Sequence, residues 1–302
     1  MNKPMSDSKT HRSGFVNIIG NPNVGKSTLI NALVGERLSI VTAKAQTTRH
    51  RIMGIVNGED YQIVYSDTPG ILKPGYKLQE SMMSFVKGAI SDADIILYVT
   101  DVIETSAKNR EYLEKLQAID TPILLAINKI DLTDQQELET LYKAWKEILP
   151  KAQIFPISAI EKFNLDPLFN SILELLPESP AWYDKNTFTD RNYRFFASEI
   201  IREKILLNYS KEIPYCTEVV IEEFKEEESI YNINAIIYVT RDSQKGILIG
   251  KGGLALKKVG TQARKDMETF FEKKVFLQIF VKVNPDWRED NKKLKQFGYI
   301  QD

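Results

Sequence analysis

The stretch Gly20-Asn21-Pro22-Asn23-Val24-Gly25-Lys26-Ser27, followed by Thr28, constrains this chain more than any other. It fits G-x-x-x-x-G-K-[ST], the pattern of a loop that wraps a phosphate. Its flanks supply the context the pattern needs: residues 15–19 read as a short buried strand and residues 28–34 as a helix. Glycines let the backbone close on a phosphate, while successive N–H groups and the helix N-terminus set up a fixed positive field. Lys26 is expected to reach the outer phosphates and the Ser27 hydroxyl to hold Mg²⁺. A strand-to-helix turn without a ligand is the bland alternative, and the flanks weigh against it.

At 302 residues the chain has room for about two domains. Its 43% hydrophobic and 27% charged residues are those of an ordinary water-soluble protein. The single cysteine, Cys216, excludes an internal disulfide framework and agrees with a reducing cytoplasm. It reads as a small buried apolar residue rather than a nucleophile. No apolar run reaches 18 residues, so none is expected to span a bilayer. Residues 1–13 lack the apolar core of a signal peptide and read as a mobile tail.

After the phosphate loop comes a polar stretch, residues 38–51, without periodicity. Residues 52–56 and 61–66 read as strands joined through Asn57-Gly58, a hairpin dipeptide. The second strand runs into Asp67-Thr68-Pro69-Gly70. A carboxylate there can hold Mg²⁺ through water, and the glycine N–H can approach a γ-phosphate. Helix near 78–91, strand 95–99, helix near 109–118 and strand 122–127 follow, ending in Asn128-Lys129-Ile130-Asp131. Asp131 can accept from guanine N1–H and the 2-amino group, whereas adenine would leave it facing an acceptor. Asn128 and Lys129 would pack around the base. Helix 135–149 and strand 153–157 lead to Ser158-Ala159-Ile160, whose N–H groups either meet guanine O6 or only form a turn. Helix 165–176 closes the alternation, and Pro177-Glu178-Ser179-Pro180 reads as a linker. Such alternation means an α/β fold with a mainly parallel sheet and ligands at the carboxyl ends of its strands.

These four elements, in this order, resemble a GTPase G domain. The loop Gln46-Thr47-Thr48-Arg49-His50-Arg51 ahead of Asp67 narrows the resemblance to the Era family of bacterial GTPases. That resemblance makes Thr48 the threonine that binds Mg²⁺ when the γ-phosphate is present, with Thr47 one residue away. It assigns Lys26, Thr48 and Gly70 to catalysis, residues Gly20 to Thr28 to the phosphates, and Ser27, Thr48 and Asp67 to Mg²⁺. Ras-like proteins place a water-orienting glutamine where this chain has Ile71, which can neither donate nor accept. The Era-like group shares this replacement, and a slow intrinsic rate is expected. In relatives that use potassium, an asparagine at the place of Asn23 holds K⁺ against the phosphates; stabilising the turn is the alternative role.

From residue 191 the character changes. Residues 191–207 read as a helix with Ala197, Ile200, Ile201 and Ile205 on one face. Strands 216–224 and 230–240 flank an acidic hairpin tip, residues 225–229. Residues 244–249 and Gly250-Lys251-Gly252-Gly253 precede a helix carrying Leu256, Val259, Ala263, Met267 and Phe270 on one face. Strand 275–283 alternates little and is expected to be buried. The order resembles a KH domain in its bacterial arrangement, with Ile249, Gly250, Lys251, Gly252, Gly253, Lys257 and Lys258 on RNA. A loop without side chains lets a sugar-phosphate backbone come close. Residues 241–302 hold 14 Lys and Arg against 8 Asp and Glu, a surplus of six that leaves the rest at −7. A basic end on an acidic chain points to a polyanion.

The expected organisation is a tail (1–13), a G domain (14–178), a linker (179–190), a KH domain (191–284) and a C-terminal tail (285–302), where Trp287 either caps the core or stacks on a base. The resemblance implies a monomeric GTP/GDP switch that binds 16S ribosomal RNA near its 3′ end and assists 30S subunit assembly. It further implies a cytoplasmic location with a peripheral fraction at the inner face of the membrane. Two rival readings stay open: a switch whose second half binds a protein, and a kinase acting on a small substrate. The basic G-x-x-G stretch opposes the first and Asn128-Lys129-Ile130-Asp131 the second.

Overall fold

Strand and helix alternate through the first half because apolar runs too short for helices alternate with amphipathic ones, and the computed structural model, which describes residues 10–104 and 110–300, shows the result. Its elements are β1 (Arg12–Gly20), α1 (Lys26–Val34), β2 (Ile52–Asn57), β3 (Tyr61–Asp67), α2 (Lys77–Ser91), β4 (Ile95–Asp101), α3 (Arg110–Gln117) and β5 (Ile123–Asn128). Then come α4 (Gln135–Ile148), β6 (Gln153–Pro156) and α5 (Leu165–Leu175). The six strands form one sheet in the order β2-β3-β1-β4-β5-β6, parallel except for β2 against β3. Ile18, Ile19, Leu97, Val99, Leu125 and Ile127 are fully buried, since helices cover both faces. Each contributes roughly 1.5–3 kcal/mol by leaving water. Asp134 starts α4 by accepting from Glu137 N at 2.9 Å.

The second half contains α6 (Tyr193–Asn208), α7 (Ile213–Cys216), β7 (Glu218–Glu226), β8 (Ile230–Val239), α8 (Asp242–Ile249), α9 (Leu254–Phe270), β9 (Lys274–Val283) and α10 (Asn291–Gln296). Its sheet runs β7-β8-β9, with β7 antiparallel and β9 parallel to β8. Ala197, Ile200, Ile201 and Ile205 of α6 and Val259, Ala263 and Met267 of α9 are buried as their spacing requires, while Leu256 and Phe270 are half-buried.

Four differences from the sequence reading have physical causes. The expected start of strand 216–224 is instead α7, with Pro214 in its first turn, and β7 begins at Glu218. Strand β9 is not buried. It is a sheet edge, and with helices on one face only it turns Phe276 and Phe280 outward, each about half exposed. Residues 179–190 are an ordered strap rather than a free linker, because the edge strand β2 has N–H groups to satisfy. Ile55 N donates to Phe188 O at 2.8 Å, and Gln62 Oε1 accepts from Trp182 N and Tyr183 N. Of the expected tails, Arg12 and Ser13 already belong to β1, and residues 285–300 are ordered: Trp287 is fully buried and donates to Cys216 O at 3.2 Å. That makes Trp287 a core cap. Residues 1–9 and 301–302, and the expected first helical residue Asn109, lie outside the described residues.

The chain divides into two compact units. The first holds residues up to Ser39, His50–Leu72 and Ser84–Asp190; the second holds Arg191–Asp302 together with Ile40–Arg49 and Lys73–Met83. The stretch carrying Thr48 therefore packs with the second unit, although it precedes β2 in sequence.

Candidate functional site

In the first unit, β1 ends at Gly20 and α1 begins at Lys26, so the intervening loop lies at the carboxyl edge of the sheet. Asn23 and Gly25 have φ of 68° and 96°, the left-handed region that a tight phosphate-wrapping turn needs. A Cβ on Gly25 would lie 2.2 Å from Asn128 Nδ2, which leaves no room for any larger residue. Asn128 ties three segments together: its Nδ2 donates to Val24 O, and its Oδ1 accepts from Ala159 N, both at 2.9 Å. Lys129 Nζ donates to Asn23 O and Asp101 Oδ2, each at 2.6 Å. The Asn128-Lys129-Ile130-Asp131 motif and the phosphate loop are thus one hydrogen-bonded assembly.

Lys26 is buried, and its ammonium donates to the carbonyls of Gly20 (3.1 Å) and Asn21 (2.7 Å). Burial pushes it down to about 8, with Asp67 and Glu104 opposing the shift. A phosphate group would supply the counter-charge that this lysine needs. Ser27 Oγ donates to Asp67 Oδ2 at 2.9 Å, so two hard oxygen donors converge where the motif expects Mg²⁺. The donor set fits that ion. Thr28 is half-buried in the first turn of α1. Thr68 Oγ1 donates to Ile18 O, Pro69 is buried, and Gly70 lies so close to Pro22 that a Cβ would be 2.7 Å from its nitrogen. Ile71 is buried and donates its N–H to Gly20 O.

Asp131 is exposed, and its Oδ1 accepts from Ser158 Oγ at 2.6 Å, which orients the carboxylate. Ser158 and Ala159 are buried while Ile160 is 72% exposed, so of the tripeptide only Ile160 stands out from the loop. Two residues carry no motif and were missed. Asp101 holds Lys129, and Glu104 accepts from Asn21 Nδ2 and from Thr100 Oγ1. Their one signal was position, just at and beyond the carboxyl end of β4, where ligands of such sheets bind.

Thr48 is buried in the segment Ile40–Arg49 of the second unit and is not among the residues that the first unit itself gathers. Its neighbour Arg49 is fully buried there and donates to Thr217 O (2.7 Å) and Pro214 O (2.9 Å). Arg51 belongs to the first unit and grips Asp92, Ser66 and Asn17.

In the second unit, α8 ends at Gly250 (φ 72°), and Gly252 and Gly253 also have positive φ. A Cβ on Gly252 or Gly253 would meet nothing within 4 Å, so that side of the loop is open, and Lys251, Lys257 and Lys258 are exposed around it. Ile249 is half-buried behind it. A groove of about 370 Å³ continues from Gly253 along Leu256, Gly260 and Arg264 of α9 to Leu277 and Ile279 of β9. Gly260 keeps its floor low: a Cβ there would sit 3.5 Å from Ile279.

A phosphate loop tied through Asn128 to the Asn128-Lys129-Ile130-Asp131 loop, on a mainly parallel sheet, has the build of a P-loop GTPase domain; the open G-x-x-G loop between two helices has that of a KH domain. Family comparison agrees, with a 50S ribosome-binding GTPase family matching residues 15–129 and the KH domain family matching residues 212–288. The GTPase Era of Staphylococcus epidermidis is 44% identical over 294 residues, 97% of this chain and 98% of that protein. A crystal structure of Era with MgGDPNP and nucleotides 1506–1542 of 16S ribosomal RNA matches at 36% identity and a TM-score of 0.92, covering 96% of this chain and all of that one. An Aquifex aeolicus Era variant bound to GDP·AlF4⁻ matches with the same figures. The chain belongs to the GTPase Era family.

Proposed function

We propose that this chain is a GTP-hydrolysing switch that binds small-subunit ribosomal RNA near its 3′ end and assists assembly of the 30S subunit. The observation that carries this reading is the pairing, in one chain, of the Asn128-tied nucleotide loops with an open, lysine-flanked G-x-x-G loop. Asp131 would select guanine, Lys26 and the loop N–H groups would hold the phosphates, and Ser27 and Asp67 would hold Mg²⁺. Bound there, Mg²⁺ would neutralise charge on the β- and γ-phosphates. Thr48 would join the site when GTP is present, and Asn23 would hold K⁺. The RNA backbone would lie along Gly250, Lys251, Gly252 and Gly253, with Lys257 and Lys258 adding charge. The relative solved with 16S RNA supports this choice of polyanion. The family likeness alone supports a cytoplasmic site of action with a peripheral membrane fraction; no described helix is long and apolar enough to cross a bilayer.

The test is filter binding of a 16S 3′-end RNA to the full chain. Lys251→Asp with Gly252→Asp should abolish binding while the domain stays folded: both positions are exposed, a Cβ on Gly252 meets nothing within 4 Å, and an aspartate at its φ of 58° costs about 1–2 kcal/mol. Parent binding should weaken steeply with salt, as each neutralised phosphate releases counterions. Undiminished binding by the double variant would remove the G-x-x-G loop from the RNA site.

A further inference from the structure

Three cations, two on the Thr48 segment and one on α6, tie that segment to the rest of the second unit through main-chain carbonyls. The Arg202 guanidinium, buried in α6 and paired with Glu199, donates to the carbonyls of Gln46 and Thr47, the two residues before Thr48. The Arg49 guanidinium holds Pro214 and Thr217 from the other side. Lys44 Nζ donates to the carbonyls of Leu206 and Tyr209 at the end of α6. Charge-assisted bonds to the carbonyl end of a helix are among the stronger polar contacts, and the helix dipole favours a cation there.

Tyr209 carries the grip further. Its carbonyl accepts from Lys44, while its own hydroxyl, buried, donates to Leu248 O at 2.6 Å. Leu248 lies in the last turn of α8, two residues before Gly250 opens the G-x-x-G loop. A second tie runs from the same helix end to α9, where Asn208 Nδ2 donates to Gln262 Oε1 at 2.6 Å. Leaving such buried groups unmade is costly, so displacing the segment draws the end of α6 and then α8 with it.

We propose that Lys44 and Tyr209 are positioning residues that relay the placement of the Thr48 segment to the G-x-x-G loop. The inference rests on the reading above, in which Thr48 answers to the γ-phosphate and the loop to RNA. Nucleotide can alter RNA affinity only through a differential contact, and this hydrogen-bonded chain supplies one within the RNA-binding unit itself.

The experiment measures the affinity of an RNA spanning 16S nucleotides 1506–1542 for the full chain loaded with GDP and with a non-hydrolysable GTP analogue. The probes are the parent, Lys44→Met, Tyr209→Phe and the double variant. Tyr209→Phe removes one hydroxyl and keeps the ring; Lys44→Met keeps the stem at a half-exposed position, so the fold survives at least one of them. The parent should show a GDP-to-analogue affinity ratio of about fivefold or more, the size usual for coupled sites. Each single variant should bring that ratio to within about twofold of unity, and the double variant should lose no more than either, as members of one path do. Basal GTP hydrolysis should stay at the parent value, and the melting temperature should fall by no more than the loss of one polar partner brings, since the variants remove one side-chain group each. A parent ratio of one, folded variants that keep the parent ratio, or losses that multiply in the double variant would each overturn the relay. Failure of the parent to bind RNA with either nucleotide would instead overturn the RNA-binding reading, and the relay with it.

Discussion

Glu218 gives the second unit a pH dependence of predictable sign and size. Its carboxylate, at the start of β7, faces Arg49 at 3.4 Å and accepts from the Tyr299 hydroxyl at 2.7 Å, with Arg202 and Glu199 nearby. Burial outweighs both arginines and pushes it from 4.5 up to about 7. The native chain therefore binds a proton that the unfolded chain releases between those values. Stability from this group is complete below pH 4.5 and is lost as pH rises through 7. At about 1.4 kcal/mol per pH unit the whole term is on the order of 3 kcal/mol, most of it falling between pH 5 and pH 8. Glu218→Gln keeps the shape, stays neutral and removes the term. Hydrogen exchange of second-unit peptides reads local opening free energy, so the parent should lose protection relative to the variant by on the order of tenfold or more between those two pH values. A parent-to-variant gap of the same size at both pH values would refute the argument. The result bears on the switch, because Arg49 adjoins Thr48.

The base-reading assignment predicts that Asp131→Asn places an NH₂ donor against guanine's own donors, weakening GTP by the roughly 10⁴-fold that a mismatched polar site imposes and favouring xanthosine nucleotides. Equal GTP affinity in parent and variant, measured by titration, would remove Asp131 from the base. Hydrolysis should depend on a helper, since Ile71 is a buried side chain with nothing to orient water. If K⁺ is part of that help, exchanging it for Na⁺ slows turnover and Asn23→Ala erases the difference; equal rates in the two salts would dismiss potassium.

What the sequence made legible was local. The phosphate loop could be read because its glycines answer to backbone conformation within six residues, and the strands because both faces of the sheet are covered. Features set by distant partners were illegible. Arg49 and Arg51 are two residues apart and of one type, yet one bonds to Pro214 and Thr217 and the other to Asp92 and Asn17. No periodicity could separate them, because what separates them lies about 165 residues away in one case and about 40 in the other. Strand β9 failed for a related reason: Val275 to Val283 is apolar enough for a buried strand, and only a sheet with helices on one face leaves Phe276 and Phe280 facing solvent. The split at residues 49–50 also explains why the polar stretch 38–51 has no helical or strand pattern. A segment held largely by lysine and arginine side chains on carbonyls, with Leu38 and Ile40 alone buried as hydrophobic anchors at its start, needs no periodic apolar face. Beyond Ile40, the contacts given by Lys44, Arg49 and Arg202 are hydrogen bonds to carbonyls, which can be exchanged for others of the same kind when an element takes a second position.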